Sequence, residues 1–246
     1  MRSFIRMLYT CFYKTKRTYL PYIHFFLPVT FATMGIIYQM FSLLDEEMIL
    51  SAYLTLIGAA FPLITGVVSS KLCEIEEEAG HFQALLSHGI SRKISYFGIL
   101  CSLLIAGSFS VSLITIPFFL SIPIKDMAFY LWAILLLMAG AVFLYIFHLF
   151  LSFSFGSGVS IGIGVFETLL ALLGLTGLGD GIWYYLPALW SGRLMSLLVF
   201  TKYHPDFSIF SLEITKWLPF FGVYTVIGLV LSLIWFERWE GRKNFE

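Results

Sequence analysis

The chain has 246 residues, of which 59% are apolar and 12% charged, with a mean hydropathy of +0.89. A soluble domain carries roughly 45–50% apolar residues, so a water-exposed globule is excluded and the chain belongs in lipid. Fifteen Lys and Arg balance fifteen Asp and Glu, which leaves no overall basicity for nucleic acid to recognise.

In chain order, the first element is a stripe. Phe4, Met7, Leu8, Cys11 and Phe12 recur at helical spacing, with Arg2, Arg6 and Lys14 off the stripe. This predicts an amphipathic helix in residues 1–19, lying on the inner leaflet. A spanning helix needs about 20 mainly apolar residues, and charges and turn residues divide the rest into six such spans. The first covers 20–44, closed by Asp45-Glu46-Glu47, and the second 48–70, closed by Lys71. A connecting segment, 71–94, is followed by a third span at 95–120 and a turn at 121–126. Residues 127–177 contain one acid, Glu167, and no Lys or Arg, and their length demands two spans, 127–151 and 157–177, turning in the small and polar stretch 152–157. An outer segment, 178–216, contains an apolar run too short to cross, and Pro187 suits the first turn of a re-entrant or interfacial helix. The sixth span is 217–239. The expected fold is therefore all-α and polytopic, a single transmembrane domain over 1–246.

Orientation follows from where the cations fall. Arg2, Arg6, Lys14, Lys16, Arg17, Lys71, Arg92, Lys93, Arg238, Arg242 and Lys243 share one side, whereas the other receives Lys125, Arg193, Lys202 and Lys216. Both termini are expected in the cytoplasm. The first apolar run starts late and is too long for a signal peptide, so it is expected to remain as an anchor. Cys11, Cys73 and Cys101 cannot all pair within one chain and read as reduced thiols.

The segment after the second span is the most informative. Ala79, Phe82, Leu85 and Leu86 form one apolar face, Glu76, Glu77 and Glu78 are expected in the first helical turn, where the macrodipole favours negative charge, and Gly89 is a plausible stop. Such a face wants a partner surface. No Gly-x4-Gly-Lys-Ser/Thr sequence occurs, and the glycines at 156, 158, 162 and 164 lie in an apolar run without Lys, so they read as small-residue packing faces and not as a phosphate loop. Glu167 and His148 are ionisable groups inside spans, hence candidates for a translocation path or for a tie between helices. His24 and His148 lack partners at metal-ligand spacing, and no metal site is expected. An intramembrane protease is the enzymatic rival. Its Glu-Glu-x3-Arg pattern is not met by the glutamates here, and Ser87 and His88 have no orienting acid in sequence.

The acidic stretch followed by Gly80, Gln83, Leu85-Leu86 and the basic pair Arg92-Lys93, between the second and third of six spans, resembles the permease subunits of ABC-2 type transporters. Residues 77–87, Glu-Glu-Ala-Gly-His-Phe-Gln-Ala-Leu-Leu-Ser, are most similar to the E- and G-type self-immunity permeases of lantibiotic producers. The resemblance implies that Glu76, Glu77, Glu78, Gly80, Phe82, Gln83, Leu85 and Leu86 form a coupling helix that docks on an ABC ATPase dimer. It implies a second six-helix permease, identical or related, and an amphipathic peptide substrate expelled from a bacterial plasma membrane. ATP and Mg would be bound by the ATPase, with no cofactor and no catalytic residue in this chain. Export of another hydrophobic peptide, lipid or drug remains the alternative, and a polytopic enzyme is a more distant one.

Overall fold

The computed structural model describes residues 2–87, 89–122, 126–204 and 207–242. Those residues form α1 (Arg2–Thr15), α2 (Leu20–Phe41), α3 (Glu46–Glu78), α4 (Gln83–Leu86), α5 (Arg92–Ser121), α6 (Met127–Phe155), α7 (Ser157–Gly174), α8 (Pro187–Tyr203) and α9 (Phe207–Arg238), with single 3-10 turns at Gly177–Gly179 and Trp183–Tyr185. Six of the described helices, α2, α3, α5, α6, α7 and α9, are long and apolar enough to cross a membrane.

Helix α3 is the spine. Asp45 caps it by accepting from the Met48 N–H, and Glu46 and Glu47 occupy its first turn, the stabilising end for negative charge. It runs 33 residues, roughly 50 Å at 1.5 Å per residue, well beyond a hydrocarbon layer of about 30 Å. The expected break at Lys71 is thus absent: residues 71–78 continue the same helix. Pro62 sits inside it, and the adjacent Leu63 N–H turns to Thr168 Oγ1 of α7, 3.1 Å away. Helix α7 lies close against this stretch. A Cβ on Gly164 would meet the Pro62 carbonyl oxygen at 2.8 Å, and one on Gly66 would meet that of Ser160 at the same distance. Ser160 and Gly164 therefore make the packing face. Gly158 and Gly162, expected to share that role, face open space.

Helix α8 begins at Pro187, where the sequence places a helix in the segment 178–216, and ends at Tyr203. It is wedged lengthwise against α3 and α6, with Ala188, Leu189, Trp190, Leu194, Met195 and Val199 buried. Close backbone approach makes this fit: Gly58 meets Gly192, Gly140 meets Ser191, and Ser191 Oγ donates to the Leu137 carbonyl at 3.0 Å. Residues 207–216 belong to α9, which starts ten residues before the expected sixth span. The other spans shift by a few residues, the first ending at Phe41 and the fifth at Gly174. The turn between α6 and α7 falls at Gly156, with φ +91°, inside the predicted stretch. Residues 123–125 of the other predicted turn lie outside the described residues.

Helix α1 packs on α5 through Phe4, Met7, Leu8 and Cys11, with Met7 seated against Gly98. Phe12, predicted on the same stripe, is exposed together with Ile5, Tyr9 and Tyr13. One face of α1 thus serves the bundle and a second apolar face is free. Along α9, Leu212, Leu218, Val223, Val226 and Leu231 are likewise exposed. Water would not tolerate so continuous an apolar surface, whereas lipid does.

The bundle has two ends. At one gather α1, the end of α3, α4, the start of α5, the α6–α7 turn and the C-terminal residues, held by Lys14–Glu76, Arg242–Glu77 and Lys93–Glu237 pairs. At the other, Lys202 meets Asp126 at 2.7 Å, Tyr203 donates to Glu46 at 3.1 Å and His204 meets Glu47 at 3.2 Å.

Candidate functional site

The first candidate is the acidic end of α3. Beyond Glu78 the chain reverses through three consecutive left-handed residues, Gly80 (φ +119°), His81 (φ +48°) and Phe82 (φ +65°). Only the first is a glycine, and side chains at such angles cost roughly 1–2 kcal/mol each. The reversal is held by His81 N–H donating to the Glu77 carbonyl at 2.6 Å and Gln83 N–H donating to that of Gly80 at 2.9 Å. Burial of Phe82 offsets the strain. Its ring lies 5.0 Å from Trp239 and 5.8 Å from Phe153, with the Arg242 guanidinium 6.0 Å above it. A single turn, α4, follows.

This geometry corrects two expectations. Glu76, Glu77 and Glu78 occupy the last turn of α3, where the helix dipole opposes negative charge. Cations from distant parts of the chain compensate: Lys14 reaches both Glu76 oxygens, at 2.9 and 2.8 Å, and Arg242 bonds Glu77. The Glu76 side chain is only 4% exposed and that of Lys14 24%, so a buried carboxylate meets a cation that keeps contact with the surroundings. Second, Phe82 and Leu85 face inward, each 2% exposed, and Leu86 is half-buried. The outward surface is polar instead, made by Glu78, Ala79, Gly80, His81, Gln83 and Ser87. His88 lies outside the described residues. Nearby, burial pushes the Cys11 thiol up to about 11, which removes it as a nucleophile.

The second candidate lies within the spans. His148, fully buried, places Nε2 2.9 Å from Glu167 Oε2 and Nδ1 3.1 Å from Ser160 Oγ. Ser160 Oγ also lies 3.3 Å from the Gly66 carbonyl. Glu167 and His148 are thus brought together as the sequence allowed, and Ser160 joins them unannounced, its only signal being a small residue two positions after Gly158. The trio links α3, α6 and α7. Ser, His and a carboxylate in line resemble a hydrolytic relay in outline, yet Ser160 is wholly buried and no substrate reaches its Oγ while the helices stay packed. A buried His–Glu bond of this kind ties helices and can hold a proton between two atoms. His24 stands apart from it, paired with Ser110 at 2.8 Å. Among the described residues no group of three or more His, Cys, Asp or Glu is arranged to hold a metal ion.

Among the described residues the fold is all-helical, with six helices long and apolar enough to cross a membrane. No family model, curated protein or solved structure matches the chain.

Proposed function

We propose that the chain is the permease subunit of an ATP-driven transporter that expels an amphipathic molecule, a lantibiotic-like peptide above all, from a bacterial plasma membrane. The observation that supports this best is the polar knob at the end of α3. It projects Glu78, Ala79, Gly80, His81 and Gln83 outward and is braced from behind by Phe82 on Phe153 and Trp239 and by the Arg242–Glu77 pair. A braced projection at the end of a helix that runs the length of the bundle transmits force in both directions. In this reading an ATPase dimer grips residues 78–87 on the cytoplasmic side, and its closure on ATP tilts α3 against α7 and α8, which pack on it most closely. ATP and Mg stay on that partner. The contact uses Gln83, His81 and the exposed part of Leu86, while Phe82 and Leu85 hold the knob in shape.

Translocation would be completed by a second six-helix chain, identical or related, against the apolar faces that α7 and α9 leave exposed. Glu167 and His148 would then feel the movement of α7 relative to α6. Gentle purification of the tagged chain from its own membrane tests the reading. Recovery of a P-loop ATPase and a second six-helix protein is the expected result; a chain that emerges alone after crosslinking overturns it.

A further inference from the structure

Between α2, α3 and α5 lies a cavity of about 280 Å³, lined chiefly by apolar side chains such as Ile23, Phe31, Phe61 and Ile114. Two polar groups in its wall are unusual. Tyr145, from α6, is 1% exposed, and its hydroxyl sits against Gly107, where any Cβ would run into it. Among the described residues that hydroxyl finds no hydrogen-bond partner. His24 engages Ser110 through Nδ1, and its Nε2 is likewise without a partner among the described residues. Ser110 and Thr168 also line the space but are committed, to His24 and to the Leu63 N–H. The Tyr145 hydroxyl and the His24 ring thus present polar atoms to an otherwise apolar space.

We infer that this cavity binds a neutral, mainly hydrocarbon molecule carrying one oxygen, which accepts a hydrogen bond from the Tyr145 hydroxyl. Neutrality follows from the wall, which contains no Lys, Arg, Asp or Glu, since a charge buried there would have no counter-ion. A second apolar cavity, of about 320 Å³, is lined by Cys11, Phe12 and Thr15 of α1 and its following turn and also by His24. His24 stands in the wall of both cavities. The inference does not depend on the transporter reading.

The test uses the full chain in phosphatidylcholine nanodiscs and two probes, a diazirine-bearing dodecanol and the matching dodecane, with adducts mapped by mass spectrometry. The alcohol should label α2, α5 and α6 around this cavity. Tyr145→Phe keeps the ring and removes the oxygen, and should weaken labelling by the alcohol about fivefold, the equivalent of a hydrogen bond of about 1 kcal/mol, with labelling by the alkane unchanged. Ala60→Phe, which fills the space, should suppress both. Competition by unlabelled dodecanol, and not by dodecane, against the alcohol probe supports the site. Equal labelling of Tyr145→Phe and the parent, or adducts confined to lipid-facing residues, overturns it.

Discussion

The two ends of the bundle are built differently. At the end holding the termini, a buried carboxylate is met by Lys14, and Phe82, Phe153, Phe236 and Trp239 interlock at ring distances near 5 Å. At the opposite end the pairs are open: the Asp126 side chain is 42% exposed and that of His204 is 55% exposed. Exposed pairs contribute about 0–1 kcal/mol, whereas leaving a buried carboxylate without its cation costs about 1–3 kcal/mol. The Lys93–Glu237 pair at the first end is as open as these, so the difference rests on the Glu76 carboxylate, 4% exposed, and on the ring cluster around Phe82.

This contrast can be broken in order of effect. Phe82→Ala removes the ring that braces a strained turn, and a loss of about 3–5 kcal/mol is expected, read as a lower unfolding temperature in detergent by size-exclusion chromatography. Lys14→Met should cost about 1–3 kcal/mol by leaving the Glu76 carboxylate without its cation; the double substitution with Glu76→Gln should recover much of it, and no recovery would show that the pair is not coupled. His148→Ala, which leaves Glu167 without its ring partner, should cost about 1–3 kcal/mol while the chain remains in the membrane. At the far end, Asp126→Asn should shift stability by under about 1 kcal/mol.

The far-end pair also has a pH signature. Lys202 beside Asp126 holds its carboxyl below the ordinary value of 3.8, with the Phe129 N–H assisting. A lowered folded value means that the contribution is present above 3.8 and disappears as the pH falls through the lower folded value. The difference between Asp126→Asn and the parent should therefore be seen at pH 7 and vanish in strong acid, as thermal unfolding at the two pH values will show.

The six spans were legible in the sequence because hydropathy reports what lipid demands. The ends of α3 and α9 were not, because helices outlast the membrane. Lys71, Glu74 and Glu76–Glu78 look like the close of a span, yet Lys71 pairs with Glu74 one turn away, Glu76 with Lys14 and Glu77 with Arg242. Partners 62 and 165 positions distant leave no local pattern. The inward face of Phe82 was hidden for the same reason: the spacing of Phe82, Leu85 and Leu86 marks an apolar face without saying that Trp239 and Phe153 already cover it. For α8, the short apolar run after Pro187 marks a helix that does not cross, but not its close fit against Gly58 and Gly140, which depends on residues far away in sequence. His148 and Glu167 were legible because ionisable groups are rare within spans.

The most direct test of the central claim places a photoreactive benzoyl-phenylalanine at Gln83, on the outward face of the knob, with Leu218 on the exposed face of α9 as control. Irradiation of native membranes should yield an adduct with a P-loop ATPase from position 83 and none from position 218. An adduct-free position 83, or the same adducts from both positions, would contradict the coupling role and with it the transporter reading.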